Sequence, residues 1–137
     1  MKKILSLLSL FIVLISCSTD TDETNVRYEL IPIQNVTISD HLLVGETNQI
    51  TVQYNRPSDC HGFNGFYYEK NGFTRTIAVQ NYVYEREGCS PLTNELREEV
   101  LEFKPTEVGT YTFKFWQGKD SNGNDIFLEL QRDAIIE

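Results

Sequence analysis

Histidine, methionine and tryptophan are nearly absent from this chain, whose 137 residues hold two, one and one of them. So little histidine leaves scant material for general acid–base work or for a nitrogen-ligated metal. The sequence contains no G-x-S-x-G, no H-E-x-x-H and no phosphate-cradling glycine loop, which removes the common hydrolase, metalloprotease and nucleotide-binding signatures. No C-x-x-C occurs, and the three cysteines stand apart at Cys17, Cys60 and Cys89. Cations are outnumbered as well: 12 Lys and Arg against 20 Asp and Glu give a formal charge of −8. That balance argues against nucleic acid and anionic headgroups as partners, both being polyanions. No apolar run approaches the roughly 20 residues of a membrane-crossing helix.

What is present begins with Met1-Lys2-Lys3, an apolar and hydroxyl run over 4–15, and then Ser16-Cys17. A charged start and a short apolar stretch fit a secretory signal. Leu14-Ile15-Ser16-Cys17 resembles the bacterial lipobox. The resemblance implies a diacylglycerol thioether on Cys17, removal of residues 1–16 as a signal peptide, and acylation of the new amine. Two or three acyl chains hold a protein at a membrane where one does so only marginally. The plain alternative is an ordinary secretory signal with a cysteine by chance. Residues 17–26 follow as a polar, acidic tether with nothing to bury. Their acidic cluster behind the lipidated cysteine is similar to the surface-export signal of Bacteroidetes-type lipoproteins, which implies an outer-membrane anchor and display at the cell surface.

Without those 16 residues the 137-residue chain keeps 121, enough for one domain with a modest core. Cys60 and Cys89 then form an even pair in an oxidising compartment, which favours a disulfide. Its loop-closure effect would contribute about 3.5 kcal/mol. The alternative is a two-thiol metal site with His61 nearby.

Residues 27–137 show period-2 alternation in short runs separated by turn signals, which predicts an all-β domain. Pro32 fits an edge strand or a break. Ile50, Val52 and Tyr54 share a face, and Asn71-Gly72 marks a hairpin. Residues 92–99 suggest a short helical turn, His41 falls in a loop, and Ile126, Leu128 and Leu130 alternate inward. Glu107, Gly109 and Tyr111 then stand at alternate positions before Phe113. This stretch resembles the entry to strand F of immunoglobulin-like domains, where the tyrosine hydroxyl bonds back onto the loop backbone. The resemblance implies an antiparallel β-sandwich of about seven strands. Phe113 replaces the second cysteine of the antibody-type domain. Counting strand directions brings the loops 56–62, 86–96 and 117–125 to one end, with Cys60 and Cys89 in the first two.

The candidate chemistry is thin. His61, with Asp59, Glu87 and the last of these loops nearby, is the one imidazole with suggestive neighbours; backbone hydrogen bonding is its ordinary role. Asp120, Asn122 and Asp125 place oxygens at alternate positions, as calcium requires, though the loop lacks the EF-hand glycine and glutamate and fits an Asn-Gly turn equally. Trp116, Tyr82 and Tyr84 point away from the predicted core, where aromatics stack on sugars or anchor proteins. The reading that follows is a non-enzymatic binding or structural domain at the cell envelope, with an unknown protein or carbohydrate ligand and no resident cofactor. The rival is a small metal-dependent or hydrolytic activity around His61 and residues 120–125. That rival requires an accessible His61 with a carboxylate within about 3 Å.

Overall fold

Alternating apolar and polar residues can bury one side of a strand only by pairing two sheets face to face, and the chain does so. The computed structural model describes residues 25–137. The expected signal peptide, Cys17 and the expected tether as far as residue 24 lie outside the described residues. Nine strands follow: β1 (Val26–Ile31), β2 (Ile33–Thr37), β3 (His41–Leu43), β4 (Asn48–Asn55), β5 (His61–Asn71), β6 (Thr74–Tyr84), β7 (Leu96–Phe103), β8 (Gly109–Lys119) and β9 (Asp125–Ile135). Among the described residues no helix is long and apolar enough to cross a membrane. The larger sheet has six strands in the order β1-β6-β8-β9-β3, with β5 on the other edge of β6. The smaller is β2-β4-β7.

Pro32 explains how the first segment serves both sheets. It has no N–H for a ladder and restrains its φ, so β1 ends on β6 at Ile31↔Val79 and β2 begins on β4 at Ile33↔Tyr54. Ile31 and Ile33, on either side of the break, are both buried. The crossing splits one edge of β6: β1 pairs with Val79–Tyr84, and β8 pairs with Thr74–Ile77 below it.

Several expectations are corrected here. The strands number nine, and the sheet is mixed rather than antiparallel: β6 runs parallel to β8, and β3 parallel to β9. The first parallel pair arises because β7 returns the chain through the other sheet, so β6 and β8 both ascend. The all-β, two-sheet architecture stands. Val26, expected as the last residue of the tether, belongs to β1. His41 is a strand residue paired with Asp133, not part of a loop. Residues 92–95 are irregular and Leu96 starts a strand, because β7 completes the smaller sheet by pairing with β4. Ile126 is exposed, lying where a register shift between Trp116 and Lys119 disturbs the β8–β9 ladder. The hairpin turns on Gly72-Phe73, because Asn71 is already paired with Thr74. Gly72 has φ 56°, fitting the first central position of a type II′ turn.

Tyr54, Tyr111, Phe113, Phe115, Ile50, Ile77 and Val79 meet between the sheets and are fully buried. Phe103 sets its ring edge-on to Phe113 at 5.1 Å. Tyr111 donates its hydroxyl to the Glu107 carbonyl at 3.3 Å, tying the β7–β8 connection to the core. Gly109 before it has φ 152°, and a Cβ there would meet the Phe73 ring at 2.8 Å, so both space and backbone select glycine. Arg75 is a buried cation in phase with the inward-facing Ile77 and Val79. Its guanidinium lies over Phe103 and Tyr111, 5.6 and 5.1 Å from the ring centres, and donates to the Gly72 and Thr74 carbonyls at 2.6 and 2.9 Å.

Candidate functional site

Two of the three loops that sequence reasoning placed at one end, 56–62 and 86–96, are joined by covalent and polar links. Cys60 and Cys89 form a disulfide with Cα atoms 5.6 Å apart. Ser90 N donates to an Asp59 carboxylate oxygen at 2.9 Å, and Leu92 N to the Pro57 carbonyl at 2.9 Å. Arg56 donates to the carbonyls of His61 and Asp59 at 2.7 and 3.0 Å. Asp59, Cys60 and Cys89 bring potential ligand atoms within 4.8 Å of one another. Both sulfurs are consumed by the disulfide, so no thiolate remains to hold a metal.

His61 does not belong to an accessible surface. It is 8% exposed, with Nδ1 2.7 Å from the Ser58 hydroxyl and Nε2 3.4 Å from a Glu29 carboxylate oxygen. Asp59 is turned to Ser90 instead. Glu29 comes from β1, 32 residues earlier, because odd positions of β1 face inward opposite Val79, Asn81 and Val83. Neither Ser58 nor Glu29 was singled out by sequence; a local turn brings Ser58 to the imidazole, and strand pairing brings Glu29. Burial pushes the Glu29 carboxyl up, but the Arg27 guanidinium, with His61, outweighs it and holds the group below its ordinary value. His61 thus has a carboxylate at 3.4 Å but not the accessibility that the hydrolytic rival requires.

The last upper loop is shorter than expected, because β8 reaches Lys119 and β9 starts at Asp125. Asp120 accepts the backbone N–H groups of Asn122 and Asn124 at 2.8 and 2.9 Å. These bonds, Asn124 first, lower its carboxyl from the usual range. Asp125 accepts from Lys119 Nζ at 2.7 Å and from the Trp116 indole N–H at 2.9 Å, and Lys119 followed by Trp116 lowers its carboxyl too. The two aspartates therefore serve different partners, one of them an ammonium that opposes a bound cation. The arrangement is that of a turn closed by its own aspartate.

The aromatic candidates converge on the outer face of the six-stranded sheet. Trp116 stands opposite Phe127 across β8 and β9. Tyr82 and Tyr84 meet edge-on at 5.1 Å, opposite Tyr28 and Val26 on β1. Tyr82 is half-buried because its ring lies across Gly62, where a Cβ would fall 2.1 Å from it. Tyr28 is 61% exposed. Where β1 ends beside β6 and β8 takes its place, the face sinks into a groove of ≈ 430 Å³. Its apolar walls are Leu30, Tyr67, Ala78, Trp116 and Phe127, and Glu69, Thr76, Lys119 and Asp125 complete it. That volume lies in the range of small-molecule sites. Tyr67, Phe127 and Leu30 were missed by sequence reading, although their outward places follow from the alternation once the register is known. A smaller cavity of ≈ 250 Å³ near the upper end, lined by Tyr54, Arg56, His61, Tyr82 and Arg97 among others, is mostly polar.

Comparison with protein-family models, with curated proteins and with solved structures finds nothing that matches this chain.

Proposed function

We propose that this chain is a cell-envelope lipoprotein, held at the outer membrane by lipid on Cys17, whose two-sheet β domain binds a ligand without chemistry. The observation that carries the binding reading is the concave aromatic groove on the outer face of the six-stranded sheet. A soluble domain gains stability by covering such side chains, and this face instead keeps Tyr28, Tyr67, Leu30 and Tyr84 open to solvent. Contiguous exposed apolar surface rimmed by polar groups marks an interaction site. The anchor rests on Leu14-Ile15-Ser16-Cys17 and the acidic stretch behind it. The burial of His61 and the Lys119 ammonium on Asp125 weigh against the hydrolytic or metal-dependent alternative.

Trp116 is the one tryptophan in the chain, so its emission reports on the groove alone. Titration of the mature domain with envelope and extracellular-polymer fractions is expected to shift that emission saturably for at least one fraction. Unchanged emission with every fraction, while the far-UV spectrum stays native, refutes the binding site. The anchor is tested separately by palmitate labelling, expected for the full chain and lost in Cys17→Ser.

A further inference from the structure

Resting on the groove as the binding site, we infer that its ligand is a neutral saccharide, with one pyranose ring laid against the Trp116–Phe127 wall. The lining carries this class because it excludes the others in turn. Lys119 is paired with Asp125 at 2.7 Å and Lys114 with Glu129 at 3.4 Å. Among the described residues no uncommitted cation on this face therefore meets a phosphate, sulfate or carboxylate group, and the chain's charge of −8 repels anions further. An acyl chain would bury Glu69, Lys119 and Asp125 beneath hydrocarbon, at a large desolvation cost. A peptide adding as a strand needs a row of free backbone groups. The groove opens on the face of the sheet, among side chains of β1, β5, β6, β8 and β9.

What fits is a ligand with C–H groups on its flat side and hydroxyls around its edge. Aromatic faces carry negative quadrupole potential and attract C–H groups. Carboxylates accept hydroxyl protons, while the Lys119 ammonium and the Thr76 hydroxyl can donate. The site is also held ready. The indole is fixed by its bond to Asp125, the Tyr67 hydroxyl donates to Glu69 at 2.8 Å, and Lys119 reaches the Gly123 carbonyl at 3.4 Å besides Asp125. Side chains already ordered lose less entropy on binding. Above Leu30 the aromatic surface continues through the Tyr28↔Tyr82 pair. That pair lies two residues further along the strand, about 7 Å, so the face offers room for a chain of sugars rather than one ring.

The test is titration of the mature domain with defined gluco-, galacto-, manno- and xylo-oligosaccharides to millimolar concentration. Wild type is read by Trp116 emission and variants by calorimetry. At least one series is expected to bind saturably and to tighten with chain length. Tyr67→Ala and Phe127→Ala should each weaken it about tenfold or more. Glu98→Ala on the other sheet should leave it unchanged, and all three variants should keep the far-UV spectrum. Absence of saturable binding across the panel overturns the saccharide assignment, as does binding indifferent to Tyr67→Ala and Phe127→Ala. A parallel arm separates this failure from failure of the groove itself. An envelope fraction that still shifts Trp116 after periodate has cleaved its vicinal diols, with no oligosaccharide bound, leaves the groove as a site and removes the sugar. If neither fractions nor oligosaccharides move Trp116, both readings fall.

Discussion

On the outer side of the three-stranded sheet, Asn35 donates to Gln53 at 3.2 Å and Gln53 to Glu98 at 3.0 Å, a chain of side-chain hydrogen bonds across β2, β4 and β7. On the corresponding side of the six-stranded sheet, Tyr28, Leu30, Tyr67 and Tyr84 stand exposed around the Trp116–Phe127 groove. Both sheets use the same alternation, and their inner faces share one core. The outer face of the smaller sheet sets that hydrogen-bonded chain beside the exposed Leu96 and Val100 and forms cross-strand pairs, whereas that of the larger sinks into a groove with apolar walls. The proposed binding site therefore lies on one face, while the core is shared by both sheets.

That division can be broken or sharpened experimentally. Phe113→Ala removes a fully buried ring from between the sheets and should cost about 3–5 kcal/mol. Urea unfolding should then show Trp116 emission and far-UV signal lost together at a lower midpoint. Separate transitions would mean that the two sheets do not share one cooperative core. Next in size is the Cys60→Ser, Cys89→Ser double variant. Opening a link across 29 residues should lower stability by about 3.5 kcal/mol and the Tm by roughly 15 °C. Groove binding measured well below that Tm should persist, and its loss would make the upper loops part of the site. Gln53→Ala interrupts the polar chain on the smaller sheet and should cost about 1 kcal/mol or less, with no change at the groove.

The smallest effect concerns pH. Glu29 is held below its ordinary value of 4.5, so the stability it contributes is fully present above that value. It is lost as pH falls through the lower value of the folded state. Its side chain is 37% exposed, which screens the effect. Denaturation midpoints of wild type should fall on the acid side more steeply than those of Glu29→Gln; parallel curves would remove Glu29 as a contributor.

Much of this was legible in the alternation. Ile50, Val52 and Tyr54, and then Tyr111, Phe113 and Phe115, are inward as their spacing required. The cysteine pair followed from parity. The groove was only half legible: Trp116 was recognisable as outward, but its companions Tyr67, Leu30 and Phe127 come from three other strands. Their meeting depends on which strands are neighbours and in what register, and alternation along one strand contains neither. His61 takes the structural role that was its ordinary reading, but its partner Glu29, 32 residues away, could not be read from sequence distance.

By itself the sequence determined an all-β domain with two faces per strand, a disulfide pair, and the lipobox-like segment on which the proposed anchor rests. Period-2 burial and cysteine parity are local properties, readable from order alone. Only the tertiary structure decided that β6 lies parallel to β8, that Pro32 passes the chain between sheets, and that β1 and β8 share one edge of β6. Strand order is set by how whole faces bury one another across long separations, and that competition among pairings shaped the groove.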